Sequence, residues 1–153
     1  MATSTIPTIK AALVTRFAAD TDLSSVQCSY GNPYPTRSEE ELIVVGNVTN
    51  DQEPSGLGSD IREERYDIEI LVSVLRSARE SQQTLETRAF VIAGHIEDSI
   101  IDWRTEASPF NSLDGWMSIG GIASNETVIS DQSGTAKERE ATVTITLAVV
   151  ARK

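Results

Sequence analysis

Cysteine, histidine and aromatic residues are scarce in this sequence. The 153 residues include one cysteine and one histidine, and aromatic residues make up 5% of the chain. A single thiol, Cys28, excludes an internal disulfide, and few rings argue against a large aromatic ligand pocket. No apolar run approaches the roughly 20 residues that cross a membrane, and the first residues lack the apolar segment of a signal peptide. We therefore expect a protein made in the cytoplasm, without a membrane partner.

Positive charge is also scarce. Lysine and arginine total 13 against 23 aspartates and glutamates, which gives a formal net charge of −10. Proteins that bind nucleic acid usually carry a basic patch. The excess of acidic residues therefore argues against affinity for phosphate over most of the surface. The length and the 39% hydrophobic content predict one domain over residues 1–153.

Alternating apolar residues predict the strands. The closing segment alternates strictly from Arg139 to Val149, and residues 62–77 show the same period. The apolar positions are Ala141, Val143, Ile145, Leu147 and Val149 in the first and Tyr66, Ile68, Ile70, Val72 and Val74 in the second. Two further strands are expected, a short one in SSVQCSYG and one in the continuous apolar run 41–48, which predicts cover on both faces. The turn DQSGTAK predicts a terminal hairpin over about residues 116–150, in which Val143, Ile145 and Leu147 should lie in the core.

Apolar residues at helical spacing predict two helices. The first lies in residues 4–22, with Thr5 as N-cap, Pro7 in the first turn and Phe17 on its apolar side. The second and longer helix lies in residues 80–106. Its apolar stripe consists of Leu85, Ala89, Ile92, Ala93, Ile96, Ile100 and Trp103.

The order of these segments predicts the fold class. Residues 49–61 are expected to form a long loop, and ASPFNSLDG (107–115) a second one. Helices separated by antiparallel-type strands favour an α+β fold. We predict a mixed, mostly antiparallel sheet of four to five strands, with two helices packed on one face.

A search for reactive residues finds no catalytic, cofactor-binding or metal-binding set. His95 lies beside acids on the long helix without a nucleophile and is expected to be a solvated surface residue. Cys28 is expected to be a small buried strand residue. The acids at 39–41 and 62–65 lack the spacing of metal ligands, so a solvated strand edge is favoured. The chain is therefore expected not to be an enzyme.

Three large apolar residues of the long helix fall outside its core stripe. Phe90, Val91 and Ile101 lie on the side where an isolated domain would carry charge. They require cover either from a loop of the same chain or from another chain. They are the candidate subunit-interface residues of this sequence.

The order and texture of the whole chain resemble a known family. The opening helix in MATSTIPTIKAALVTRF is followed by the strand ELIVVG, the charged strand EERYDIEILV, one long helix and the terminal ATVTITLAVVARK. In this order the chain resembles the tail terminator (tail completion) proteins of long non-contractile-tailed bacteriophages, especially those of actinobacterial hosts. The resemblance covers nearly the full chain and includes no catalytic residue.

The resemblance implies a structural virion protein. Its subunits would form a homo-hexameric ring at the head-proximal end of the tail, after assembly in the host cytoplasm. The ring would stop polymerisation of the major tail tube protein and offer a surface to the head-side connector or stopper protein. DNA would pass through the bore without specific binding.

Other functions fit the same composition. A neck or head-completion protein, or a tail-tube relative, would also be a small α/β or β-rich virion subunit. A small cytoplasmic enzyme or ligand-binding module is the alternative outside the virion. Such a module would need a pocket with converging polar groups, and the sequence offers one histidine and scattered acids for it.

Overall fold

A computed structural model of the chain describes residues 4–33, 37–53, 63–105 and 114–152. In chain order the elements begin with helix α1 and a short 3₁₀ helix, continue with three strands and helix α2, and end with two strands. Their bounds are α1 Ile6–Ala19, the 3₁₀ helix Thr21–Leu23, β1 Gln27–Tyr30, β2 Glu41–Glu53, β3 Glu63–Ser77, α2 Gln82–Thr105, β4 Asp114–Ser130 and β5 Ala136–Arg152.

The strands form one sheet in the order β1-β2-β3-β5-β4. β1 pairs with β2 in parallel, and the remaining pairs are antiparallel. Both helices contribute to the same hydrophobic core on one side of this sheet. The predicted fold class, an α+β fold with a mixed and mostly antiparallel sheet, is confirmed.

The predicted core faces are confirmed residue by residue. All five apolar positions of β3 and all five of β5 are buried, and Val143, Ile145 and Leu147 are fully inaccessible to solvent. The seven predicted stripe residues of α2 are buried as well. Period-two and 3.6-residue patterns therefore identified the surfaces that meet in the core.

Strand β2 continues into the segment that was predicted to be a loop. Residues Thr49 to Glu53 pair with Asp67 to Glu63 of β3, so the loop prediction is wrong for residues 49–53. A β ladder is held by backbone hydrogen bonds, which polar side chains also permit when a partner strand lies alongside. The rest of that predicted loop, 54–61, lies outside the described residues. Of the second predicted loop, 114–115 belong to β4 and 107–113 also lie outside the described residues.

The start of α1 is fastened to β3 by a buried carboxylate. Thr5 precedes α1 as predicted, but its side chain does not cap the helix. Instead the Thr5 hydroxyl and the Thr5 backbone N–H both donate to Oε2 of Glu64, at 2.5 and 2.7 Å. The Tyr66 hydroxyl lies 3.1 Å from the Thr5 hydroxyl, and burial, with the nearby charge of Glu64, raises the pKa of Tyr66 to about 12. The predicted N-cap is therefore a tertiary anchor between α1 and β3.

The first part of strand β2, residues 41–45, is covered on both faces as the continuous apolar run predicted, whereas Asn47 is exposed. Ile43 and Val45 belong to the core beneath the helices, and Leu42 and Val44 on the other face are also buried. On that second face the Arg37 guanidinium donates to the Ser73 hydroxyl at 2.7 Å and to the Ser73 carbonyl at 3.1 Å. Arg37 thereby ties the segment before β2 to the middle of β3.

Candidate assembly surfaces

Two of the charged residues predicted to form a solvated strand edge, Glu41 and Glu64, are buried instead, whereas Glu39, Glu40 and Arg65 are exposed as predicted. Glu41 accepts two hydrogen bonds from Arg88, at 2.8 and 2.9 Å, and one from Arg76 at 2.7 Å. Glu41 and Glu64 are each only 7% exposed. The prediction of a solvated edge is therefore wrong for these two acids, because partners distant in sequence reach them and satisfy their charge. Both carboxylates therefore link elements of the fold through hydrogen bonds.

The remaining candidate reactive groups do not converge. Among the described residues no group of three or more histidine, cysteine, aspartate or glutamate side chains could hold a metal ion. Cys28 is half-buried. Burial, and to a smaller extent the charge of Asp20, raises the pKa of its thiol to about 11. A thiol with such a pKa stays protonated at neutral pH and is a poor nucleophile. Neither α1 nor α2, the α-helices of the described part, has the length and apolarity that a membrane crossing requires.

His95 lies in an open groove between the two helices. The groove has a volume of about 1090 Å³, and α1, α2 and the 3₁₀ helix all contribute to it. Nδ1 of His95 is 3.7 Å from Oδ2 of Asp22, and 32% of the His95 side chain is exposed. His95 is therefore partly solvated, and its ring faces an acid on a neighbouring element. Beside it the Arg16 Nε donates to the Ser99 carbonyl at 2.9 Å, which joins α1 to α2.

The outer face of α2 carries the three apolar residues singled out from the sequence. Phe90, Val91 and Ile101 are 43%, 44% and 50% exposed. Phe90 and Ile101 are eleven positions apart in the helix. At 100° and 1.5 Å per residue, they lie within about 20° of each other around the helix axis and about 16 Å apart along it. Val91 is turned about 100° from Phe90. The structure therefore places two of the three on one line of the helix, and does not bring all three into one cluster.

A second exposed apolar surface lies on strand β4. Every residue from Gly120 to Ser130 is exposed, and Ile122, Val128 and Ile129 are 46%, 46% and 40% accessible. β4 is the last strand of the sheet, so its outer edge has no strand beside it among the described residues. No pattern in the sequence predicted this exposure. The glycine pair at 120–121 interrupts the alternation that would have assigned their faces.

The two surfaces are separate elements of the chain, one helical and one extended. Each presents apolar side chains that are in contact with solvent in the isolated chain. No protein-family model matches this chain, and no curated protein matches it.

Proposed function

We propose that this chain is a structural virion protein, a tail terminator of a long non-contractile-tailed bacteriophage. It forms a homo-hexameric ring on the head-proximal end of the tail tube. There it stops polymerisation of the tube protein and provides the surface that the head-side connector or stopper protein binds. This function requires no catalytic residue.

The observation that carries the proposal is the exposure of Phe90, Val91 and Ile101 on the longest helix. Complete burial of a large apolar side chain stabilises by roughly 1.5–3 kcal/mol. These side chains are already about half covered, so a neighbour would gain about 1 kcal/mol from each. A closed ring repeats a head-to-tail contact at every subunit, which multiplies a small gain over the whole assembly.

The charge of the chain also suits a ring around DNA. Each copy carries a formal net charge of −10, so six copies would carry about −60. An acidic field of this size disfavours adsorption of phosphate where the acids face the bore. DNA could then pass without being retained.

The first test is the mass of the purified chain, measured by analytical ultracentrifugation. We expect a ring for the wild type, and a folded chain that forms no ring for the Phe90→Ser, Ile101→Ser double variant. A matched control is Gln83→Ser with Thr105→Ser, which changes two exposed polar positions of the same helix and should leave the ring intact. If the Phe90/Ile101 variant keeps the wild-type mass, these residues do not form the contact.

The second test is made on particles and separates the virion roles. Phage assembled without this chain should have tails of irregular length in electron micrographs. Tails of uniform length that fail to join heads would instead indicate a neck protein. Normal infectious particles would contradict both virion roles.

A further inference from the structure

Strand β4 presents an unusually open sheet edge. Residues 120–130 are exposed on both faces of the strand, so none of the described residues of the chain covers them. Their backbone N–H and C=O groups on the outer side have no strand partner within the described residues. An edge of this kind can template the addition of another strand.

This edge has little of the usual protection: β4 has register irregularities only at the two ends of the stretch, between Ile119 and Gly121 and between Ile129 and Ser130, and one charged residue between them. Natural edge strands are kept apart by lysine, proline, inward-facing charge or short length. The segment GGIASNETVIS contains no lysine and no proline, and Glu126 is its one charged residue. Ile122 and Val128 share one face of the strand, because their β5 neighbours Ile145 and Arg139 both lie on the helix side of the sheet.

We propose that the occupant of this edge is β4 of a second copy, paired antiparallel about a two-fold axis through Asn125. The opposite edge of the sheet is formed by β1, which has only four residues. It cannot match an open stretch that runs from Gly120 to Ser130. Strand β2 also extends past β1, over residues 46–53, but β4 has the longest free edge among the described strands.

The residue order of β4 selects the register. With the axis at Asn125, Ile122 lies opposite the partner's Val128, and this apolar pair occurs twice. An axis one residue later would set Glu126 opposite the partner's Glu126, and like charges directly opposed are destabilising. An axis one residue earlier would set Ile122 opposite the partner's Glu126. The Asn125 register therefore pairs the apolar side chains and separates the two carboxylates.

This contact is independent of the proposed tail function. A two-fold contact joins copies in pairs, whereas ring closure uses a head-to-tail contact. The pair uses β4, and the ring contact uses Phe90 and Ile101 of α2. A Phe90→Ser, Ile101→Ser chain should therefore lose the ring and keep the two-fold pair, so failure of one proposal can be told from failure of the other.

A disulfide cross-link tests the register. In a Cys28→Ser background, Asn125→Cys would place two thiols opposite each other across the axis, with Cα atoms about 4.5–5.5 Å apart, which a disulfide can span. We expect most of this variant to run as a disulfide-linked dimer on a non-reducing gel after mild oxidation. The control Ala123→Cys lies four residues from its own symmetry mate, about 14 Å away, and should stay monomeric on the gel.

A mixture adds a positive control for the same register. Ala123→Cys chains mixed with Thr127→Cys chains should cross-link, because this axis sets 123 opposite the partner's 127. Circular dichroism of each variant should match that of the Cys28→Ser parent. Equal cross-linking of the Asn125→Cys and Ala123→Cys chains, or cross-linking of neither, would overturn the proposal.

Discussion

Glu41 joins three elements at one end of the sheet, and its replacement by glutamine is the sharpest test of the described packing. Glu41 is the first residue of β2, and its carboxylate accepts two hydrogen bonds from the guanidinium of Arg88 on α2. Arg76 at the end of β3 binds the same carboxylate at 2.7 Å. The side chain of Glu41 is 9% exposed, whereas those of Arg76 and Arg88 are 22% and 34% exposed.

The expected loss follows from this geometry. Removing one member of a fully buried ion pair costs about 3–5 kcal/mol, and a hydrogen bond to a charged group contributes about 1.5–3 kcal/mol. Both arginines keep contact with water, and Arg76 retains Glu40 at 2.8 Å. We therefore expect Glu41→Gln to lower the free energy of unfolding by about 2–3 kcal/mol, or the melting temperature by about 4–12 °C.

The same ion pairs predict how this loss depends on pH. The hydrogen bond from Arg88 lowers the pKa of Glu41 below the ordinary 4.5, burial opposes that shift in part, and Arg76 adds to it. A carboxyl group whose pKa is lower in the folded state stabilises the fold above the unfolded pKa. That contribution is lost as pH falls through the folded pKa. The stability difference between wild type and Glu41→Gln should therefore be full at neutral pH and shrink progressively below about pH 4.5.

Urea denaturation of both proteins at several pH values measures this difference. Glu40→Gln is the matched control, because Glu40 is the adjacent acid, is 71% exposed and pairs with the same Arg76. An exposed pair of this kind contributes about 0–1 kcal/mol. If Glu41→Gln and Glu40→Gln are equally stable at neutral pH, or if the Glu41→Gln loss does not change in acid, the assigned role of Glu41 is wrong.

Three further predictions concern the core, the groove and the thiol. Ile145→Asp buries an unpaired charge at a position with 0% exposure and should cost several kcal/mol, so a soluble variant with a normal melting curve would contradict the assigned core. His95→Ala should leave both the melting temperature and the oligomer mass close to wild type, because its contact with Asp22 is long and partly solvated; loss of function with fold and mass unchanged would instead assign His95 a direct role. Cys28 should react slowly with a thiol reagent at pH 8 in the folded protein and rapidly in urea, because its folded pKa is about 11; equal rates in both states would show that the thiol is not held protonated.

Local sequence patterns predicted the two α-helices of the described part and the core faces of β3 and β5. The alternation from Tyr66 to Val74 and from Ala141 to Val149 assigned one face of each strand to the core. The prediction that both faces of the run 41–48 are covered is correct for residues 41–45, whereas Asn47 is exposed. Such patterns succeed because side-chain direction repeats every two residues in a strand and every 3.6 in a helix. The exposure of Phe90, Val91 and Ile101 follows from the same rule.

Local patterns carried less information about polar residues. Glu41 and Glu64 were predicted to be solvated, yet Arg88 lies 47 positions from Glu41 and Thr5 lies 59 positions from Glu64. Whether a charged side chain is buried depends on which partners the fold brings to it. The pattern of residues along one segment does not predict which distant residues will contact it.

Of the two exposed apolar surfaces, the one on α2 could be predicted from the sequence and the one on β4 could not. The sequence alone determined that α2 carries apolar residues outside its core stripe, because the helical period fixes their direction. Only the tertiary structure decided that β4 is an edge strand, because β5 inserts between β3 and β4 and leaves one side of β4 without a neighbouring strand in the described part of the chain. It also extended β2 to Glu53, since residues 49–53 need the backbone of β3 alongside them to become a strand. Strand pairing joins residues distant in the chain, so no local pattern contains it.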